Sequence, residues 1–327
     1  MDLITALFAA AVPTAIYSLL LWWLDRYEKE PLPLIVIAFI WGAIPAIALA
    51  VLFELIFSVP LDRSPLGPTV ANFGLAPVIE ELLKSLALVG LFLWARREFD
   101  GPLDGIVYGA LIGFGFSMTE NALYFVRFSD LNALFWVRGV LFGMNHALFT
   151  SVVGLALGAV RYRKDRRLRP LALAAGLTLA ILLHMAHNVL VAGSRTTGLF
   201  ASWIVQLSGV LVIVAVAVLS WRHEHRWLVE ELGDEVRAGV ISPHDYNDVV
   251  STSHRLRRQV HTLLTEGWTA FYQIRHLHHL LTELAFCKSK VRLSDRFHTC
   301  DDSNRIRREI IALRTSMEQR RGILSEY

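Results

Sequence analysis

Residues 76–88 read APVIEELLKSLAL, two adjacent glutamates and a lysine set inside an otherwise apolar run. The apolar residues around them continue on both sides for about the twenty residues that a helix needs to cross roughly 30 Å of hydrocarbon. Ionisable groups at such depth cost about 2.5–3.5 kcal/mol each near the helix centre and usually mark functional or pathway-lining positions. Glu80 and Lys84 are four apart with the acid first, the favourable direction for a helical ion pair. Glu81 points about 100° away and can face another partner. Pro77 removes a backbone donor and predicts a kinked or opened helix just upstream.

Working outward, the same apolar pattern recurs. The 327 residues are 54% hydrophobic with a mean hydropathy of +0.45, too apolar for an ordinary soluble enzyme. Hydropathy predicts seven spans, at about 3–23, 33–57, 70–94, 103–125, 133–160, 170–192 and 199–221. The first is too long and lacks the basic start of a secretory signal, and DRYEKEP at 25–31 follows where a mature start would stand, so it reads as a retained membrane helix. Seven spans put Arg26, Lys29, Arg96, Arg97 and the cluster RYRKDRRLR at 161–169 on one side, with only Arg63, Arg127 and Arg195 on the other. The positive-inside rule then sets the N-terminus outside and the C-terminus in the cytoplasm.

Polar groups recur only on spans three to six. Beside Glu80, Glu81 and Lys84 stand Glu120 and Asn121 in GFGFSMTENALYF, His146 in GMNHALFT, and His184, His187 and Asn188 in LLHMAHNVL. At 1.5 Å per residue, Glu80 lies roughly 15 Å below the outer start of its span, His146 about 20 Å, His184 about 12 Å and Glu120 about 8 Å. All fall between the middle of the membrane and its outer edge, a depth at which they can converge. Glu54 lies close enough to the outer end of span two for snorkelling to account for it. Gly109/Gly113 and Gly154/Gly158 have the four-residue spacing of close helix packing.

A buried carboxylate beside a second one has its pKa raised towards neutrality and can act as general base on water. Histidine shares proton traffic or binds metal, and asparagine donates to an oxyanion. Water attack on a peptide bond is one sensible use of this set. Two histidines with glutamates also suit zinc, with His146, His184, Glu81 and Glu120 as candidate ligands, but HEXXH is absent. Proton or ion relay in a transporter uses the same residue types; the inverted repeat of broken helices expected there has no counterpart to Pro77. A non-catalytic scaffold for transmembrane segments is the third class, and it has no need of costly buried charges.

Residues 222–327 change character: charged, helically periodic and carrying nine histidines, HLHH at 276–279 among them. Their spacing follows no metal motif and reads as solvated helix surface. Ser242 and Pro243 of SPHDYNDV predict a helix start, and three or four short helices are expected in a cytoplasmic tail with a slight basic excess towards anionic headgroups. Cys287 and Cys300 are too few for a disulfide framework and read as reduced thiols.

DRYEKEP, EELLK at 80–84, DGIVYG at 104–109, FSMTEN at 116–121, His146 and HMAHN at 184–188 occur in this order on successive apolar helices. In this the chain resembles the PrsW family of polytopic membrane proteases, relatives of the CAAX prenyl endopeptidases and bacteriocin-processing enzymes, over roughly residues 15–215. The resemblance implies an intramembrane endopeptidase with Glu80 and Glu81 as essential acids, Glu120, Asn121, His146, His184 and Asn188 completing the site and Lys84 at the basic position of the first motif. His187 is not carried over. It leaves zinc and a metal-free mechanism both open, and points to regulated proteolysis of a membrane-bound signalling protein as one setting. The expectation is therefore an all-α bundle of seven spans with a protease core at 1–221 and a helical tail at 222–327. Its partners are a membrane-protein substrate and the lipid bilayer, not nucleic acid.

Overall fold

The computed structural model describes residues 2–24, 29–61, 66–96, 98–128, 131–193, 196–293 and 303–325. Residues 25–28 of DRYEKEP, together with Arg63, Arg97, Arg195 and Cys300, lie outside them. The described residues are all-helical, without a strand among them. They fall into two compact units, Met1–Val218 and Leu219–Tyr327.

The first unit runs through α1 (Leu3–Leu24), α2 (Leu32–Trp41), α3 (Ile47–Leu61), α4 (Gly67–Val70), α5 (Ala76–Trp94), α6 (Pro102–Arg127), α7 (Leu131–Leu134), α8 (Asn145–Ala159) and α9 (Leu168–Gly193) into α10 (Thr197–Arg237). Three π-helical segments, Gly42–Ala46, Ala71–Leu75 and Phe135–Leu141, join α2 to α3, α4 to α5 and α7 towards α8. Such segments are rare and gather at functional sites. The second leads straight into α5 two residues before Pro77, where the sequence predicts an opened helix.

Five helical stretches among the described residues are long and apolar enough to cross a membrane: Leu3–Leu24, Leu32–Ser58, Asn132–Ala159, Leu168–Gly193 and Thr197–Arg237. The protein is thus a multi-pass membrane protein. Two further helices, α5 and α6, occupy the stretches where the sequence predicts the other two spans, and they fall short of that apolarity. Their lower apolarity has a simple source, because they carry Glu80, Glu81, Lys84 and Glu120 together with a run of glycines.

Helix α6 is the axis of this unit, buried almost continuously from Leu103 to Ser117. Ala6 and Ala10 of α1 pack on its Ala122 and Phe125. Its glycines let α8 approach to backbone contact: a Cβ on Gly105 would sit 2.0 Å from the Gly154 carbonyl oxygen, and one on Gly113 2.3 Å from that of His146. Small residues at four-residue spacing permit this approach in membranes, and here it sets His146 beside Glu120, two turns further along α6. The pieces of DRYEKEP and DGIVYG meet as well. Glu30 is buried and accepts the Tyr108 hydroxyl hydrogen bond, while Asp104 accepts from the Asp100 and Gly101 amides at the start of α6. Outward faces stay apolar, with Leu171, Leu179, Leu182, Phe200 and Leu211 exposed.

The second unit holds the end of α10, then α11 (Pro243–Val250), α12 (Thr252–Leu293) and α13 (Ser303–Ser325). Ser242 caps α11, its Oγ accepting from the Asp245 amide at 3.1 Å. Two of these helices are long rather than short. Gly267, at φ +83°, breaks the first of them internally in a conformation that favours glycine. Leu228, Leu232, Val249, Leu277, Leu281 and Ile310 form the buried apolar interior. Cys287 is disulfide-bonded, against the expectation of a reduced thiol.

Candidate active site

The polar groups expected on four helices converge. Glu80, Glu81 and Lys84 come from α5, Glu120 and Asn121 from α6, His146 from the first turn of α8 and His184 from α9. Glu81 and Lys84 are fully buried, and His184 is 3% exposed.

Glu81 is the hub. Its Oε1 accepts from Lys84 Nζ at 2.6 Å and lies 3.0 Å from His184 Nδ1; its Oε2 accepts from Thr150 Oγ1 at 3.4 Å. Sequence spacing pairs Lys84 with Glu80, but that distance is 3.5 Å. Residues three and four apart lie on one helical face, and here the ammonium hydrogen-bonds the nearer Glu81 and His146, which lies 3.1 Å from it. Phe116 lies beneath the same ammonium, 4.3 Å from ring centroid to Nζ.

Donor chemistry assigns the imidazole protons. An ammonium can only donate, so His146 Nδ1 accepts from Lys84 and its Nε2–H donates to Glu120 Oε2 at 2.9 Å. A carboxylate can only accept, so His184 Nδ1–H donates to Glu81. The neutral ring then carries its lone pair on Nε2, 4.0 Å from Glu80 Oε2. That Glu80 oxygen is buried without any hydrogen bond. Phe149 stacks on the His184 ring at 5.0 Å and holds its plane.

Arg138, on the π segment before α8, completes the cluster. Its guanidinium lies 2.9 Å from Glu120 Oε2, donates through Nε to Asn121 Oδ1 at 3.1 Å, and covers the Tyr124 ring at 3.7 Å. Sequence reasoning passed over it, although a lone arginine in an apolar run carries the same signal that singled out the glutamates. Asn121 is thereby tied to Arg138 and Ser117. Asn188 turns elsewhere, donating to the Asn72 carbonyl in the second π segment at 3.2 Å. His187 bonds with Asn145 and Ser202, outside the cluster.

Glu80, Glu81, His146 and His184 each offer one ligand atom, all within 4.8 Å of one another. Two imidazoles and two carboxylates are donors that zinc accepts, and the unbonded Glu80 oxygen is the kind of atom a cation satisfies, so the donor set fits a divalent ion. Glu80 takes the place that the sequence reading gave to Glu120, whose Oε2 is held by Arg138 and His146.

Residues 30–221 match the model of a family described as PrsW family intramembrane metalloprotease. Curated relatives agree. Protease PrsW of Geobacillus kaustophilus is 29% identical over 143 residues, 44% of this chain and 61% of that protein. Protease PrsW of Bacillus subtilis is 29% identical over 187 residues, 56% of this chain and 81% of the relative, and that of Shouchella clausii 28% over 186 residues, 57% and 83%. The chain thus spans about three fifths of the Geobacillus relative and more of the other two. No solved structure matches the chain.

Proposed function

This chain belongs to the PrsW family of intramembrane proteases, and from that premise we propose that it hydrolyses a peptide bond of a membrane protein with water activated by Glu80 and His184. The observation that carries this reading is the pair of acceptors at the centre of the cluster. Glu80 Oε2 has no hydrogen bond and faces the lone pair of His184 Nε2 at 4.0 Å. A water within hydrogen-bond reach of both directs its two protons at two bases and its own lone pair at a carbonyl carbon. Glu81 serves differently: bonded to Lys84, His184 and Thr150, it orients the imidazole and sets its tautomer. Glu120 and Arg138 fix His146 from the opposite side, and the Lys84 ammonium sets positive charge where an oxyanion develops.

A divalent ion would be held by Glu80, Glu81, His146 and His184. When bound, it supplies Lewis-acid polarisation of the carbonyl and a more acidic water. The substrate approaches, in this reading, by the cleft of about 280 Å³ between α3 and the second π segment; Glu54, Asn72 and Ala76 line it, and Ala76 lies one turn before Glu80. Seven spans, an outside N-terminus and a cytoplasmic tail at 222–327 accord with the loop charges. A membrane-bound signalling protein is the substrate class we favour.

The test compares membranes holding the wild-type chain with membranes holding Glu80→Gln or His184→Ala, reading new peptide termini by mass spectrometry. The substrate so found is then cleaved by purified chain in proteoliposomes. Cleavage should fall at least about 100-fold in either variant, the scale of a lost general base. Undiminished cleavage by Glu80→Gln would remove the mechanism.

A further inference from the structure

Lys84 stands among the metal-capable donors, not beside them. Its Nζ is 2.6 Å from Glu81 Oε1, 3.1 Å from His146 Nδ1 and 3.5 Å from Glu80 Oε2, three of the four residues that would ligate an ion. The side chain is fully buried. Zinc takes nitrogen and carboxylate ligands at about 2.0–2.2 Å. An ion bound to Glu81 and His146 at that range would lie within a few ångströms of an ammonium that touches the same two atoms. Two cations so close, away from water, repel strongly.

The cluster's charge points the same way. Glu80, Glu81 and Glu120 stand against Lys84 and Arg138, and Arg138 is committed to Glu120. Among the described residues Lys84 is then the one cation that the two glutamates of α5 share, hydrogen-bonded to Glu81 and ion-paired at 3.5 Å with Glu80, and its charge stands where that of a metal ion would.

We propose that the Lys84 ammonium is the resident cation of this centre, and that a divalent ion enters the four-donor set only by displacing it. Metal affinity is accordingly set by Lys84 more than by the number of ligands. The inference rests on the cluster that the protease reading uses, and deepens it by stating which cation the glutamates hold.

The experiment uses the full chain, purified in detergent, stripped by chelator and equilibrated with Zn²⁺. Bound metal is counted by mass spectrometry, and Co²⁺ ligand-field absorption serves as a second readout. To remove any zinc held by exposed histidines elsewhere in the chain, the quantity read is the difference between each protein and its His184→Ala counterpart. The wild type should show almost no His184-dependent zinc. Lys84→Met should gain one ion per chain with affinity at least about tenfold higher, while Lys84→Arg, which keeps the charge, should stay metal-poor. A full His184-dependent ion in the wild type overturns the proposal whatever the variants do. So does a folded Lys84→Met, judged by size exclusion, that binds no better than wild type. No substrate enters the measurement: a chain without peptidase activity would sink the protease reading and leave these counts unmoved. Conversely, wild-type zinc would sink this inference and leave cleavage untouched.

Discussion

Two clusters of buried charge, one in each unit, are built from similar residues and balanced in opposite ways. In the tail unit Glu231 and Glu235, each 2% exposed, meet Lys288, Arg292 and Arg307, two acids against three cations. Glu235 accepts from Lys288 Nζ at 2.8 Å and from two nitrogens of Arg307 at 2.6 and 2.9 Å, so both its oxygens are bonded. In the membrane unit three acids, Glu80, Glu81 and Glu120, meet two cations, Lys84 and Arg138, and neutral imidazoles add hydrogen bonds without charge. One Glu80 oxygen is left without a hydrogen bond. A buried acid with both oxygens bonded to cations has little left to give to a reaction and serves the fold. An acid short of partners, next to a neutral imidazole, is placed to take a proton.

The contrast breaks if the two clusters respond alike. Glu80→Gln should lose cleavage with little change in melting, because its Oε2 makes no hydrogen bond and the ammonium 3.5 Å away stays bonded to Glu81 at 2.6 Å. Glu235→Ala should do the reverse. Removing one partner of a buried ion pair costs about 3 kcal/mol, so the tail should melt earlier while cleavage per folded molecule is kept. Thermal melts followed by fluorescence, run beside the cleavage assay, decide it; a Glu235→Ala chain that melts normally would show the tail cluster to be as slack as the membrane one.

Arg138 sharpens the membrane half. Arg138→Met leaves Glu120 facing His146 alone and frees Asn121 Oδ1. Because Arg138 acts through these neighbours, we expect kcat to fall about tenfold, near 1.4 kcal/mol, with KM unchanged and Arg138→Lys restoring part of the loss. A rise in KM alone would make Arg138 a substrate contact.

Much of this was legible because burying charge in hydrocarbon is costly, so Glu80, Glu81, Lys84, Glu120, His146 and His184 announce themselves in apolar runs. The glycine spacing on α6 and α8 was readable for the same kind of reason: only glycine permits the approach seen at Gly105 and Gly154. Other features turn on third bodies that spacing does not encode. Lys84 pairs most closely with Glu81 and with His146, 62 residues away, and spacing along one helix carries no sign of that second partner. Asn188 shares a helical face with His184, yet its partner is a carbonyl freed in a π segment, and hydropathy carries no mark of where a helix widens. Arg138 was missed for a different reason, since one charge in FWVRGVL hardly lowers the apolarity of its span.

The smallest effect tests whether the tail's interior is closed to protons as the membrane cluster is not. His278 is 2% exposed, and its Nδ1 faces the Gln259 amide at 3.2 Å. Burial, with Arg255 and Arg258 nearby, pushes its pKa from 6.5 down to about 3. Between these values the unfolded chain binds a proton that the folded chain refuses. Stability is therefore complete above about pH 6.5 and is lost as pH falls towards 3. From pH 7 to pH 6 the loss from this one group is about 0.7 kcal/mol. It should appear as the part of the tail's melting shift that His278→Gln removes, since glutamine keeps a polar group there and cannot take the proton. If wild type and His278→Gln shift equally with pH, His278 opens to water in the folded tail, and the tail's interior is not the proton-tight one that its paired glutamates suggest.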